Sequence, residues 1–124
     1  MKPGFVGWAL DRAEREALLR RFPPRYPNAV ADHVTLKFGD REAELPTVTA
    51  GEIVGEADDG QGVQAMVVRI GGTTDRPDGS TYHVTWSLRP GRQAKESNDV
   101  IRRHGWRAFE APVPLSLTPS AYPR

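Results

Sequence analysis

Two stretches of the chain alternate strictly between apolar and polar side chains. In residues 32–39 (DHVTLKFG), His33, Thr35 and Lys37 share one side of an extended strand, and Val34, Leu36 and Phe38 the other. In residues 81–88 (TYHVTWSL), His83, Thr85 and Ser87 oppose Tyr82, Val84, Trp86 and Leu88. Residues 5–10 (FVGWAL) read as a buried strand. Asp11, with Glu14 three positions later, then opens a helix whose stripe is Ala13, Ala17, Leu18 and Phe22; Pro23-Pro24 ends it. Asp11/Arg15 and Glu16/Arg20 are spaced as ion pairs on its wet face. Residues 25–31 read as a loop and Gly39-Asp40 as a turn. Strands are expected at about 52–57 and 63–70, joined by the hairpin residues Asp58-Asp59-Gly60. A polar loop at 71–80, expected to be mobile, leads into the second alternating strand. A short helix at about 94–104 is capped by Gly105. Residues 106–117 are a last extended segment, placed at a sheet edge by Pro112 and Pro114.

The order is thus β-α-β, a hairpin, then β-α-β, in a single domain covering residues 1–124. An α+β fold follows, with two small antiparallel sheets around a central cleft and helices outside. Their apolar sides would cover the helices and leave His and Thr facing the cleft. Composition narrows the chemistry. The chain has no cysteine, which excludes disulfides and thiolate metal sites and fits a reducing, cytoplasmic setting. No apolar stretch approaches a membrane span, and the start at Met1-Lys2-Pro3-Gly4 leads one to expect no secretory leader. Net charge is +1, yet 14 of the 17 basic residues are arginine, a side chain suited to bidentate phosphate contacts.

The tripeptide His-Val-Thr occurs once in each alternating strand and uses two of the three histidines. Histidine titrates near neutrality, so a pair can hold one neutral ring as base and one protonated ring as acid. Threonine hydroxyls two residues along on the same face can donate to the non-bridging oxygens of a phosphate. Two imidazoles flanking one phosphorus would suffice for phosphodiester hydrolysis without a cofactor. No H-x-x-x-H or acidic spacing supplies a third zinc ligand, so no metal is expected.

The two segments, HVTLKFG at 33–39 and HVTWSL at 83–88, resemble the paired H-x-[ST]-hydrophobic signatures of the 2H phosphoesterase superfamily. The superfamily includes RNA 2′,3′-cyclic phosphodiesterases and the cyclic phosphodiesterase domains of tRNA ligases. The resemblance implies a bilobal fold with one motif per lobe, His33 and His83 as the catalytic pair, and Thr35 and Thr85 as phosphate-binding residues. It also implies opening of a 2′,3′-cyclic phosphate, at an RNA end or in a small nucleotide, to a 2′-phosphomonoester, a reaction of RNA end processing and repair. The stretch Lys95-Glu96-Ser97-Asn98 resembles the polar helix start after the second motif in tRNA-ligase-like members.

Further candidate substrate contacts are Lys37, Tyr26, Arg89, Arg92 and Ser97. Lys37 serves equally as a solvated strand residue. Tyr26, Tyr82 and Trp106 could stack on a nucleobase, with packing favoured for Tyr82, while Trp8, Trp86 and Phe38 read as core. Asp32 should point away from His33, and His104 reads as a helix-end cation. Which histidine is acid and which base is left open, and a monomer is expected. Degradation of cyclic oligonucleotides, or non-catalytic nucleotide binding, are the alternative functions.

Overall fold

Asp11 does begin a helix: its carboxylate accepts the Glu14 N–H at 2.8 Å, and α1 runs Arg12–Arg21. The computed structural model, which describes residues 4–39 and 44–122, places strand β1 (Gly4–Leu10) before it. There follow β2 (Asn28–Ala29), β3 (His33–Gly39), β4 (Ala50–Asp58), β5 (Val63–Arg69) and β6 (His83–Leu88). A 3-10 turn at Ala94–Glu96 leads into α2 (Ser97–His104), and β7 (Arg107–Tyr122) closes the chain. Asp40, half of the expected Gly39-Asp40 turn, lies outside the described residues.

Helices and strands are mixed as α+β, but the expectation of two separate sheets is corrected. All seven strands join in one antiparallel sheet, ordered β2-β6-β5-β4-β7-β1-β3. The join is β7, which is longer than its sequence suggested. Its first half pairs with β4 up to Ala50↔Ser116, and its second half with β1 from Leu10↔Leu117 to Phe5↔Tyr122. Pro112 and Pro114 lie in the first half, where β7 has a ladder partner on one side. The edge placement of these prolines therefore holds locally, within a strand that is internal to the sheet.

The sheet is covered on both faces, which explains the apolar run of residues 65–68 in β5. Met66 and Val68 join Trp8, Leu18, Val34, Val84 and Trp86 in one cluster. Val63, Ala65 and Val67 face the other way, against Val100 and Ile101 of α2. On α1 the buried residue is Leu18, with Leu19 and Phe22 beside it; Ala13 and Ala17 are exposed. Among the described residues no helix is long and apolar enough to cross a membrane.

One crossing positions the site. After β2, the Val30 and Ala31 N–H groups still donate to Trp86 and Thr85 of β6, both at 2.9 Å. Ala31 then turns with a left-handed φ of 42°, and the chain leaves β6 for the neighbourhood of β1 as β3. Arg15 secures this turn. It does not take the expected Asp11 partner; its Nε donates to Ala31 O at 2.9 Å and its Nη2 to Val30 O at 3.0 Å. The start of β3 is thereby held against β6, although the two are far apart in strand order.

Candidate active site

Both tripeptides reach one hollow of about 320 Å³. His33, Thr35, His83 and Thr85 line it together with Phe5, Phe38, Arg76, Lys95 and Asn98. Among the described residues the lining contains two cations, Arg76 and Lys95, and no carboxylate. Thr35 and Thr85 are almost completely buried at its floor.

The two rings are oriented differently. His83 Nδ1 lies 2.8 Å from Thr81 O. A carbonyl only accepts, so Nδ1 carries the hydrogen and Nε2 of the neutral ring is bare. Burial lowers the pKa of His83 below the ordinary histidine value, and the nearby positive charges of Arg76 and of His33, when protonated, lower it further; the bond to Thr81 opposes them. His33 instead places Nδ1 3.1 Å from Asp32 Oδ2. Burial pushes the Asp32 carboxyl up, but hydrogen bonds from Arg12 and His33 outweigh this and hold it below the usual carboxylate range. Asp32 is therefore ionised at neutral pH and supplies the negative charge that a protonated His33 requires. The expectation that Asp32 points away from His33 is corrected: it precedes β3, where the turn at Ala31 has broken the alternation. The His33 ring is also stacked on Phe5, with centroids 4.9 Å apart, and tilted against Tyr122 at 5.2 Å.

Phe38 is not core but 60% exposed, on the cleft wall. A bulge causes this: Thr35 pairs with Gly7 and Lys37 with Val6, so Leu36 is the extra residue and the side chains beyond it change face. Gly7 permits the bulge, since a Cβ there would stand 2.1 Å from Val34 O. The same reversal removes Lys37 from the cleft; it is exposed elsewhere on β3.

Arg76 was not anticipated. It comes from the polar 71–80 loop, which is tied down by Asp75↔Thr81 pairing and by Arg76 N–H donating to Ser80 O at 2.8 Å. The side chain is only 3% exposed. Its Nε donates to Ser80 Oγ at 2.7 Å, its Nη2 to Asn98 Oδ1 at 3.3 Å, and its guanidinium lies 5.4 Å from the Phe38 ring centre. The acidic neighbour Asp78 is at 3.4 Å and largely exposed. A buried guanidinium beside two imidazoles attracts an anion. No local motif announced it; the Asp78-Gly79 turn chemistry was the available signal that this loop folds back on itself.

Among the weaker candidates, Ser97 touches the site from behind: its Oγ is 2.7 Å from Thr85 Oγ1, which also donates to Ala94 O at 3.2 Å. Lys95 and Asn98 of the same stretch line the cleft directly, whereas Glu96 pairs with Arg92. The remaining candidates lie away from the cleft. The Tyr26 hydroxyl donates to Asp58 at 2.6 Å, Arg92 is bound by Asp59 and Glu96, and Arg89 is exposed beside Gly62; none lines the cleft. Tyr82 is buried edge-on against Trp8. No family model, curated protein or solved structure matches the chain.

Proposed function

We propose that the protein is a phosphodiesterase of the 2H type that opens 2′,3′-cyclic phosphates by acid–base catalysis, without a cofactor. One observation carries the reading: both His-Val-Thr strands, with Arg76 and Lys95, line a single hollow. It has room for a phosphate and its nucleoside. On this reading the two halves of the sheet are the family's two lobes, supported by the change of partner of β7 from β4 to β1.

The different environments of the histidines support opposite roles. His83, kept neutral and with Nε2 bare, accepts a proton from water as its oxygen attacks phosphorus. His33, with Asp32 behind it, gives its Nε2 proton to the departing ribose O3′ as the P–O3′ bond breaks. The product is a 2′-phosphomonoester with a free 3′-hydroxyl, and the two rings exchange protons with solvent to reset. Thr35, Thr85, Arg76 and Lys95 face the charge that builds on the non-bridging oxygens. Phe5 and Phe38 offer apolar surface for the base.

The test is turnover of nucleoside 2′,3′-cyclic phosphates by chelator-treated protein, with the position of the product phosphate read by NMR. A 2′-phosphate formed in the presence of EDTA supports the reading. Absence of turnover on all four nucleosides and on a cyclic-phosphate-ended oligonucleotide removes it.

A further inference from the structure

Asn98 is shared by two hollows. The same residue lines a second hollow of about 350 Å³, shared with Ser80, Thr81, Asp99, Arg102 and Trp106. Asn98 is fixed between the two, because its Oδ1 accepts from Arg76.

Trp106 reaches this hollow through two glycines. Gly105 ends α2 by donating its N–H to Ile101 O at 2.8 Å and turns the chain with a left-handed φ of 71°. The indole of Trp106 then lies on the bare backbone of Gly55, where a Cβ would be 2.3 Å from Cε3. The ring is held on one side and 38% exposed, whereas Trp8 and Trp86 are buried. Of the three aromatics that the sequence offered as base-stacking groups, Tyr26 is tied to Asp58 and Tyr82 is buried. Trp106 remains. Beside it the last turn of α2 carries Arg102, Arg103 and His104. Arg102 is paired with Asp99 at 2.6 Å, but both side chains are well exposed, so the pair yields readily to a phosphate.

We propose that this second hollow receives the nucleotide that precedes the cyclic phosphate, its base on Trp106 and its phosphodiester near Arg102. The inference rests on the phosphodiesterase reading and specifies its substrate as an oligonucleotide end. A 2′,3′-cyclic phosphate occupies both ribose hydroxyl oxygens, so the strand can continue only through O5′, out of the cleft and into an adjoining hollow. Stacking of one base on an aromatic face is sequence-tolerant and raises affinity by about 5- to 150-fold.

The experiment compares kcat/KM for a cyclic-phosphate mononucleotide, dinucleotide and trinucleotide in the native protein, Trp106→Leu and Arg102→Ala. The second nucleotide should raise kcat/KM by about tenfold or more, the third by little. Trp106→Leu should abolish that gain while mononucleotide turnover stays within about twofold, and Arg102→Ala should reduce it. No gain in the native protein, or an unchanged gain in Trp106→Leu, overturns the inference while leaving the phosphodiesterase reading intact. If no substrate is turned over, that reading fails by itself. Binding of the same ligands to His83→Ala then decides: tighter dinucleotide binding lost with Trp106→Leu supports the second hollow, and equal binding overturns it.

Discussion

The same three residues, His-Val-Thr, occur in β3 and β6 in very different settings. His83 begins an inner strand, is desolvated, and has its Nδ1 on a backbone carbonyl. His33 begins a strand at the other end of the sheet order, is stacked on Phe5 and tilted against Tyr122, and has its Nδ1 on a carboxylate. Identical side chains thus meet opposite surroundings, and the opposite proton-transfer roles proposed for them rest on what lies behind each ring. The residue before each motif makes the distinction: Asp32 turns back to its histidine, while Tyr82 is buried and leaves the task to Thr81 O.

The largest effects come from removing either ring. His33→Ala and His83→Ala should each reduce kcat by about 10²–10⁴, measured by single turnover, and the double variant should be scarcely worse than the weaker single one. Full additivity would mean that the rings do not act in one event. Next is Arg76, which lowers the His83 pKa and, on the proposed reading, also holds the phosphate. Arg76→Met should cost about 10²-fold in kcat/KM. It should also move the acid limb of the pH profile upward, because losing a positive neighbour raises the His83 pKa. A parallel loss at every pH, with no displacement of that limb, would reduce Arg76 to a phosphate contact. Asp32→Asn should cost about tenfold in kcat with little change in KM, measured by steady-state kinetics. An unaltered kcat would show that the carboxylate behind His33 is not what separates the two rings.

Most elements were legible because alternation, capping and proline stops are local signals; β2, within the stretch 25–31 read as a loop, was not. The bond from Asp11 to the Glu14 N–H and the C-terminal cap at Gly105 form where those signals placed them. The union of the halves through β7 was not legible, since nothing in its prolines tells that the strand changes partner at Leu117. At the site, the histidines and threonines were found by repetition, which requires no knowledge of packing. Phe38 was misplaced for want of one bulge, and Gly7, a lone glycine in a strand, was its available trace. Arg76 is a long-range fact: its position depends on a loop folding over β3, and loop sequence carries little record of that.

The smallest predicted effect concerns stability, and it separates the two motifs without any substrate. The native pKa of His83 is depressed below its ordinary 6.5. Between those two values the unfolded chain binds a proton that the folded chain excludes. The His83 contribution is therefore greatest above pH 6.5, declines as pH falls through that value, and levels off below the native pKa. His83→Gln keeps a donor for Thr81 O but does not titrate, so the difference in Tm between it and the native protein should change in that window. The Asp32 carboxyl, also depressed but from an ordinary 3.8, loses its contribution only at lower pH, as protonation proceeds through its native value. The His83 window opens at pH 6.5 and the Asp32 window at pH 3.8. If the His83→Gln difference is flat from pH 7.5 to 5, the ring is not held neutral by its surroundings, and the assignment of His83 as base falls before any assay of catalysis.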